Sequence, residues 1–184
     1  MKQTVRNVKI SGTGSYTPEK IVTNLELSKT IPTTDEWIFE NLGIRERRVA
    51  AINECTSDLA AKAGLRAIEN ANLKPEDIDL IIIATATPDR LAPSTACIVQ
   101  DKIKAYNAVA FDIAAVCSGF LYGMSVASQF IASGVYERVL VIGADTFSKI
   151  TDWKRRDAVF FGDGAGAAVL THATDSEGFL SFRL

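Results

Sequence analysis

The chain has 184 residues, 47% hydrophobic and 23% charged, and this composition predicts one soluble globular domain over residues 1–184 with a substantial core. Its 20 Lys and Arg against 22 Asp and Glu give a formal net charge of −2, which favours neither nucleic acid nor an anionic membrane. Three widely spaced cysteines, one histidine and no run of apolar residues of bilayer length lead us to expect no disulfide framework, no metal site and no membrane span.

The elements predicted in chain order alternate between strands and helices. Residues 1–6 contain no apolar signal segment, so we expect a cytoplasmic protein. Strands are predicted at 8–12 (ending in a Gly-rich turn), 78–85, 108–113, 138–143, 167–170 and 179–182. Helices are predicted to begin at Thr33 (in a capping box with Glu36), at Thr56, at Pro93 and at Cys117. This order indicates an α/β layered fold with a mainly parallel sheet.

Two of these helices have distinctive patterns. The helix from Thr56 is predicted to bury a stripe formed by Leu59, Ala63, Leu65, Ala67 and Ile68. The segment from Cys117 to Ser133 has no charged residue and is small or apolar on every face, and it ends at Gly134. We therefore expect that second helix to lie in the protein interior.

Cys117 is the main candidate for chemistry. It follows the predicted strand at 108–113 through a tight turn and begins the apolar helix, where backbone N–H groups and the helix dipole favour a thiolate. This is the arrangement of a nucleophile elbow, with Gly119 leaving room for approach. The alternative is that Cys117 is a small buried hydrophobe, which is our interpretation of Cys55 and Cys97.

Other residues give weaker signals. The Gly-rich segments 12–17 and 162–167 lack the features of dinucleotide or phosphate loops, and tight turns with close backbone approach are the favoured interpretation. The cluster Lys154–Arg156 is a solvated loop or a phosphate contact. His172, in the polar run 172–175, is interpreted as a surface residue that is not paired with Cys117.

Five segments in fixed order together resemble the β-ketoacyl-acyl carrier protein synthase III family of the thiolase superfamily. They are GTGSYTP (12–18), TDEWI (34–38), GIRERR (43–48), DIAAVCSGF (112–120) and FGDGAGA (161–167). The resemblance implies a thiolase-like αβαβα fold, of which this chain is the N-terminal half. It also places the family's nucleophile at Cys117.

The activity implied by the resemblance is a two-step condensation. Cys117 would take an acyl group, usually acetyl, from acyl-CoA, and decarboxylative Claisen condensation with malonyl-acyl carrier protein would follow, initiating fatty acid biosynthesis. Coenzyme A is then a substrate, acyl carrier protein is a partner, and no metal or other cofactor is implied.

The resemblance also implies a coenzyme A subsite. Trp37 would stack on the adenine, and Arg155 or Arg156 would stack on its other face. The family often has an arginine just before Gly43, where Asn41 and Leu42 stand here, so the resemblance does not extend to part of the phosphate contact. Ala92 stands where many relatives have an aromatic residue that reaches the acyl pocket from the dimer partner, and we expect it to admit longer primers.

The implied second half is not in the sequence. It would contain the histidine and asparagine for malonyl decarboxylation, and His172 matches neither motif. A half-fold would expose an apolar face, which a second chain, a homodimer or the rest of a longer protein would cover. The alternatives are a secondary-metabolite or longer-chain condensing or acyltransferase relative, a non-catalytic half-fold subunit, and, less favoured, a cysteine hydrolase.

Overall fold

A computed structural model describes residues 7–174, 177–182 and 184. Residues 1–6, on which the signal-segment argument rests, and Asp175 at the end of the polar run after His172, lie outside the described residues. Within the described part, no helix is both long and apolar enough to span a bilayer.

The described residues form seven strands and five α-helices. The strands are β1 (Val8–Tyr16), β2 (Lys20–Thr23), β3 (Glu46–Val49), β4 (Leu80–Ala84), β5 (Val109–Ile113), β6 (Arg138–Thr146) and β7 (Asp163–His172). The helices are α1 (Asn24–Leu27), α2 (Asp35–Leu42), α3 (Thr56–Asn70), α4 (Thr95–Ile103) and α5 (Gly119–Ala132). Short 3-10 turns occupy Pro75–Asp77, Val116–Ser118, Phe147–Lys149 and Arg156–Phe160.

The main sheet has five strands in the order β1-β7-β6-β4-β5. Strand β4 is parallel to β5 and β6, whereas β7 is antiparallel to both β6 and β1. The prediction of a mainly parallel sheet is therefore right only for its β6-β4-β5 part. Antiparallel pairing follows from the connection after β6, because residues 147–162 form only 3-10 turns and supply no crossover helix.

Helices cover both faces of this sheet. One core cluster joins α3 and α4 to the first face, and a second joins α5 to the opposite face. All five residues of β4 are buried, which is why residues 78–85 read as a continuous apolar run. The layered α/β fold predicted from the sequence is present, with one sheet between two helical layers.

Strand β1 does not end at Gly12 as predicted but continues to Tyr16, so the Gly-rich turn is wrong. The glycines serve close packing instead. A Cβ atom on Gly12 would lie 2.4 Å from the carbonyl oxygen of Ala67, and one on Gly14 would lie 2.3 Å from that of Ala63. Both oxygens belong to α3, so these glycines allow the helix to lie directly on the strand.

Helix starts and one core position also differ from prediction. The side chain of Thr34, not that of Thr33, accepts a hydrogen bond from Trp37 N at 3.1 Å and caps α2. Helix α3 is capped at Cys55 rather than at Thr56. Leu65 is 43% exposed rather than buried, because it lies two positions, or about 200°, from Ala63 and Ala67 on the helix.

Two differences concern short strands: one pair of strands was not predicted, and one predicted strand does not form among the described residues. Strands β2 and β3 pair antiparallel with each other, but their polar sequences KIVT and ERRV gave no strand pattern. The aromatic run 179–182 forms no strand among the described residues. Phe179 and Phe182 instead pack against the cluster beneath α5, with Phe179 N donating to the carbonyl of Val8 at 2.8 Å.

Helix α5 is buried on one side only. The small residues Gly119 and Gly123 face the sheet, while Leu121 is 58% exposed and Val126 is 37% exposed. The prediction of a fully interior helix is therefore wrong for the described part of the chain, in which no second layer covers the outer face of α5. The predicted end is confirmed, since Gly134 follows the last turn with a φ of 76°.

Candidate active site

Cys117 lies in a sharp turn between a strand and a helix. Strand β5 ends at Ile113, the 3-10 turn Val116–Ser118 follows, and α5 begins at Gly119. The backbone N–H of Ser118 closes the turn by donating to the carbonyl of Ala115 at 3.1 Å. The thiol is exposed, so the interpretation of Cys117 as a small buried hydrophobe is wrong.

The residue before the cysteine is strained. Val116 has a φ of 45°, a left-handed conformation that is rare for a β-branched residue and costs about 1–3 kcal/mol. Such strain persists only where the surroundings impose it, and it is typical of turns that present a nucleophile. The turn follows the carboxyl end of β5, which is parallel to β4, as β4 is to β6.

Gly119 has a different role from the one predicted. It is buried, and a Cβ atom added to it would lie 3.0 Å from the Cβ of Ala84 on β4. Gly123, one turn later, is equally close to Val141 on β6. These glycines seat α5 on the sheet, so Gly119 fixes the start of the helix beside Cys117 rather than clearing an approach to it.

The loop that contains Ala92 is fixed at both ends. At its start, the carboxylate of Asp89 accepts hydrogen bonds from Ser57 N at 3.0 Å and Ser57 Oγ at 2.6 Å. At its end, the carboxylate of Asp112 accepts from the backbone N–H groups of Thr95 and Ala96, both at 2.7 Å. Ala92 itself is exposed. Since Asp112 lies on β5, the strand that leads to Cys117 also anchors this loop.

Sequence reasoning missed a group of polar side chains at the same end of the sheet. The hydroxyl of Thr56 donates to the carbonyl of Thr87 at 2.6 Å and lies 2.8 Å from the hydroxyl of Thr146. The carboxylate of Asp145 accepts from the hydroxyl of Thr87 at 2.9 Å. The sequence contained a signal for this polar group. Thr87 and Asp145 come just after the strands predicted at 78–85 and 138–143, at the edge where parallel strands end.

The structure brings Trp37 and Arg156 together. The guanidinium carbon of Arg156 lies 4.4 Å from the centroid of the Trp37 ring, within the range of a cation–π contact. Arg155 points elsewhere, since its Nη2 donates to Asp157 Oδ2 at 2.9 Å and its Nε to Asp157 Oδ1 at 3.1 Å. Of the two arginines left open by the sequence, Arg156 is the one beside the tryptophan.

The histidine lies on the surface as predicted, whereas the remaining cysteines are less buried than predicted. Cys55 is half-buried at the start of α3, and Cys97 is half-buried within α4, with its Sγ 3.7 Å from the carbonyl of Ala110. His172 ends β7 and is exposed. The described residues contain no group of three or more His, Cys, Asp or Glu side chains arranged to hold a metal ion.

An open cleft of about 660 Å³ lies beside α3 and is lined by polar and charged side chains. Neither Cys117 nor Trp37 lines it. Burial tends to raise the pKa of Glu54, but hydrogen bonds from Lys62 and Tyr16 outweigh this and hold the pKa below its usual value. The hydrogen bonds that Lys62 makes to Glu54 and Tyr16 raise the pKa of Lys62. The cleft thus contains the hydrogen-bonded group of Glu54, Lys62 and Tyr16 and lies apart from Cys117.

Known proteins resemble this chain in sequence. A family model described as 3-oxoacyl-[acyl-carrier-protein] synthase III matches residues 111–184. The β-ketoacyl-[acyl-carrier-protein] synthase III of Caldanaerobacter subterraneus subsp. tengcongensis is 58% identical over 172 residues, which are 93% of this chain and 52% of that protein. The enzyme of the same name from Clostridium acetobutylicum is 58% identical over 90% of this chain and 51% of its own length.

Solved structures also resemble this chain in fold. The 3-oxoacyl-[acyl-carrier-protein] synthase III of Aquifex aeolicus VF5 superimposes with a TM-score of 0.88 at 50% identity, covering 91% of this chain and 55% of that one. The priming β-ketosynthase of the R1128 polyketide biosynthetic pathway superimposes with a TM-score of 0.89 at 35% identity, covering 94% and 52%. The chain spans about half the length of the curated relatives it matches.

Proposed function

Since the chain belongs to the β-ketoacyl-[acyl-carrier-protein] synthase III family, we propose that it is the cysteine-bearing half of such an enzyme, with Cys117 as its acyl acceptor. The observation that supports this most directly is the exposed thiol in the strained turn between β5 and α5. The family resemblance places the nucleophile at Cys117, which lies between the carboxyl end of β5 and the start of α5.

The first step is transfer of the acyl group. The Cys117 thiolate attacks the thioester carbonyl of acyl-CoA, the tetrahedral oxyanion collapses, and the coenzyme A thiolate leaves. The backbone N–H groups of Ser118 and Gly119 donate to the carbonyls of Ala115 and Val116, so the proposed donor to that oxyanion is the backbone N–H of Cys117 itself. The helix dipole favours both the thiolate and the oxyanion.

The second step, condensation with malonyl-acyl carrier protein, needs groups beyond this chain. The acyl group on Cys117 would be attacked by the carbanion formed when malonyl loses carbon dioxide, giving the β-ketoacyl product. The family resemblance places the assisting histidine and asparagine in the other half. His172 cannot replace them, because it ends β7 on the surface beside Glu137 and Arg138.

For coenzyme A, we place the adenine between Trp37 and Arg156. Their contact at 4.4 Å leaves no space for a third ring, since each stacked layer needs about 3.5 Å. Arg156 is exposed, so its side chain can move outward by one layer to admit the base. Arg155 is already engaged with Asp157, which supports Arg156 as the partner.

The pocket for the acyl group would be bounded in part by the loop of Ala92. A methyl side chain at that position leaves more room than an aromatic ring, so primers longer than acetyl are expected to fit. Comparable turnover with acetyl-CoA and octanoyl-CoA would support this, and strict preference for acetyl-CoA would contradict it.

The outer face of α5 supports association with another layer of protein. A second polypeptide with the remaining half, a second copy of this chain, or the rest of a longer protein would each bury Leu121 and Val126. The expected setting is the cytoplasm, where acyl-CoA and acyl carrier protein are available.

The second candidate is a specialised condensing or acyl-transfer role. It is supported by the likeness to the priming β-ketosynthase of a polyketide pathway and by the small residue at Ala92. In both candidates Cys117 has the same first step, and they differ in the primer and in the product released.

Intact-mass spectrometry after brief exposure to acetyl-CoA tests the proposal. We expect an acetyl increment on this chain that is absent in Cys117→Ser, and a second polypeptide of similar size if the enzyme is made in two pieces. The Cys97→Ser variant is the matched control and should acylate normally. Failure of the unmodified protein to gain the increment would contradict Cys117 as acyl acceptor.

A further inference from the structure

Arg47 on β3 is buried without an ionic partner. The residue is only 5% exposed, and no carboxylate of the described residues lies within ion-pair distance of its guanidinium. Its Nε makes no hydrogen bond in the described part of the chain. Burial lowers the pKa of Arg47 below its usual value, which reflects the unfavourable desolvation of the cation. A buried cation without a paired anion destabilises the folded state. The hydrogen bonds of Arg47 must offset part of this cost.

Those hydrogen bonds join three separate segments. Nη1 donates to the carbonyl of Val22 on β2 at 3.2 Å, and Nη2 donates to Asn24 Oδ1 on α1 at 2.7 Å. Nη2 also reaches the carbonyl of Val159 at 3.4 Å, in the 3-10 turn Arg156–Phe160. One guanidinium therefore connects the small β2–β3 sheet to the turn that contains Arg156.

The network continues from Asn24 to the helix of Trp37. Asn24 is 1% exposed, and its Nδ2 donates to Asp35 Oδ1 at 2.8 Å. Asp35 is the first residue of α2, two positions before Trp37. A continuous path of hydrogen bonds thus runs from α2 through Asn24 and Arg47 to the turn of Arg156.

We propose that Arg47 is a positioning residue for the Trp37–Arg156 pair. Its guanidinium holds the turn of Arg156 in register with the helix of Trp37, and it thereby sets the affinity for the adenine nucleotide of acyl-CoA. This rests on the proposed function, in which that pair binds coenzyme A. Arg47 itself is separated from the ligand by the pair it positions.

Apolar packing alone does not supply this register. Ile38, Ala158 and Val159 are buried together between α2 and the turn, but apolar contacts are not directional and allow sliding. A planar guanidinium with donors in fixed directions specifies both distance and orientation. Lysine has one ammonium group and cannot reach all three acceptors at once.

The test uses the protein as isolated, in a Trp153→Phe background so that Trp37 is the only tryptophan. Arg47→Met removes the three hydrogen bonds while keeping apolar volume, and Arg47→Lys keeps the charge if the methionine variant folds poorly. Arg48→Met is the matched control, because Arg48 is next to Arg47 on β3 and its Nη1 donates instead to the carbonyl of Pro18 at 3.2 Å. Arg156→Met provides the reference for loss of the stacked pair.

Three measurements are made on each variant: acrylamide quenching of Trp37 fluorescence, the Kd for coenzyme A, and the rate of Cys117 alkylation by iodoacetamide. In both Arg47 variants, Trp37 should become as accessible to quencher as in Arg156→Met, and the Kd should rise about tenfold. Alkylation should stay within about twofold of the parent because Cys117 lies outside the network. Arg48→Met should match the parent in all three.

Parental quenching and parental Kd in Arg47→Met would overturn the proposal. Equal losses in quenching, Kd and alkylation rate for both Arg47 variants would also overturn it, since they would show general support of the fold. If Arg156→Met leaves the Kd unchanged, the proposed coenzyme A subsite fails instead. The quenching comparison would still decide whether Arg47 positions the pair.

Discussion

Gly119 on α5 lies directly against Ala84 on β4, at a distance where a Cβ atom on the glycine would be 3.0 Å from that of the alanine. The contact is between the first residue of the helix and the last residue of the strand. Because Cys117 is only two residues away, the fit between helix and sheet also determines where the thiol lies.

Enlarging Gly119 should therefore affect both stability and reactivity. Gly119→Val would force α5 away from the sheet, and overpacking of this kind lowers the free energy of unfolding by about 1–3 kcal/mol. The acylation rate of Cys117 should fall as well. Urea denaturation and acetyl-CoA labelling measure the two effects. Gly166→Ala is the control, since no atom lies within 4 Å of a Cβ there, and equal effects of both changes would contradict this argument.

The two adjacent arginines should behave differently toward coenzyme A. Arg156→Ala removes one side of the stacked pair and should raise the Kd for coenzyme A about tenfold. Arg155→Ala removes only an exposed ion pair with Asp157, so the Kd should change by less than about twofold. Isothermal titration calorimetry measures both. A larger increase in Kd for Arg155→Ala than for Arg156→Ala would show that Arg155 is the stacking partner instead.

The charged group in the cleft beside α3 predicts a pH dependence of stability. The lowered pKa of Glu54 stabilises the fold above the ordinary carboxyl value of 4.5, and this contribution is lost as pH falls through the folded-state pKa. The raised pKa of Lys62 has the opposite sign, so its contribution is present below the ordinary value of 10.5 and is lost as pH rises further.

Glu54→Gln should therefore lower the free energy of unfolding near neutral pH by about 1 kcal/mol, a value reduced because Lys62 is partly exposed. The difference from the parent should shrink in acid as Glu54 becomes protonated. Urea titrations at several pH values measure it, with Glu69→Gln on the exposed side of α3 as control. A difference that is constant down to strongly acid pH would show that the charge of Glu54 is not responsible.

The outer face of α5 should matter for association and not for the fold of this chain. Leu121→Asp places a charge on a position that is 58% exposed, so the chain should fold but lose its contact with the covering layer. Leu65→Asp changes a leucine of α3 with similar exposure and should leave association intact. Native mass spectrometry and sedimentation velocity distinguish these results. Loss of association in both variants, or in neither, would exclude the α5 face as the contact.

Much of this architecture could be predicted from the sequence. The apolar run ending at Thr85 identified β4, and the charge-free segment after Cys117 identified α5, because burial leaves a pattern that is visible residue by residue. The turn at Cys117 was predicted because it lies between the strand at 108–113 and this apolar helix. The family resemblance then added Trp37 and a choice between two arginines.

Other features depend on contacts between distant parts of the chain. The antiparallel addition of β7 to β6 depends on the path of residues 147–162, which has no local signal. The position of Arg156, rather than Arg155, beside Trp37 depends on how that same segment folds against α2. The network of Arg47 was also invisible, because its acceptors are backbone and amide oxygens from two distant parts of the chain, Val22 with Asn24 and Val159.

Among the described residues, strand β1 lies at one edge of the sheet and pairs with β7 alone, with Val8 opposite His172. Synthesis on the ribosome proceeds from the N-terminus, so β1 is made well before β7, the strand with which it pairs. Until β7 emerges, β1 presents unpaired backbone groups that other chains can recognise. The nascent protein therefore passes through an aggregation-prone interval that lasts almost until residue 172 is available, and co-expressed chaperones should improve its yield.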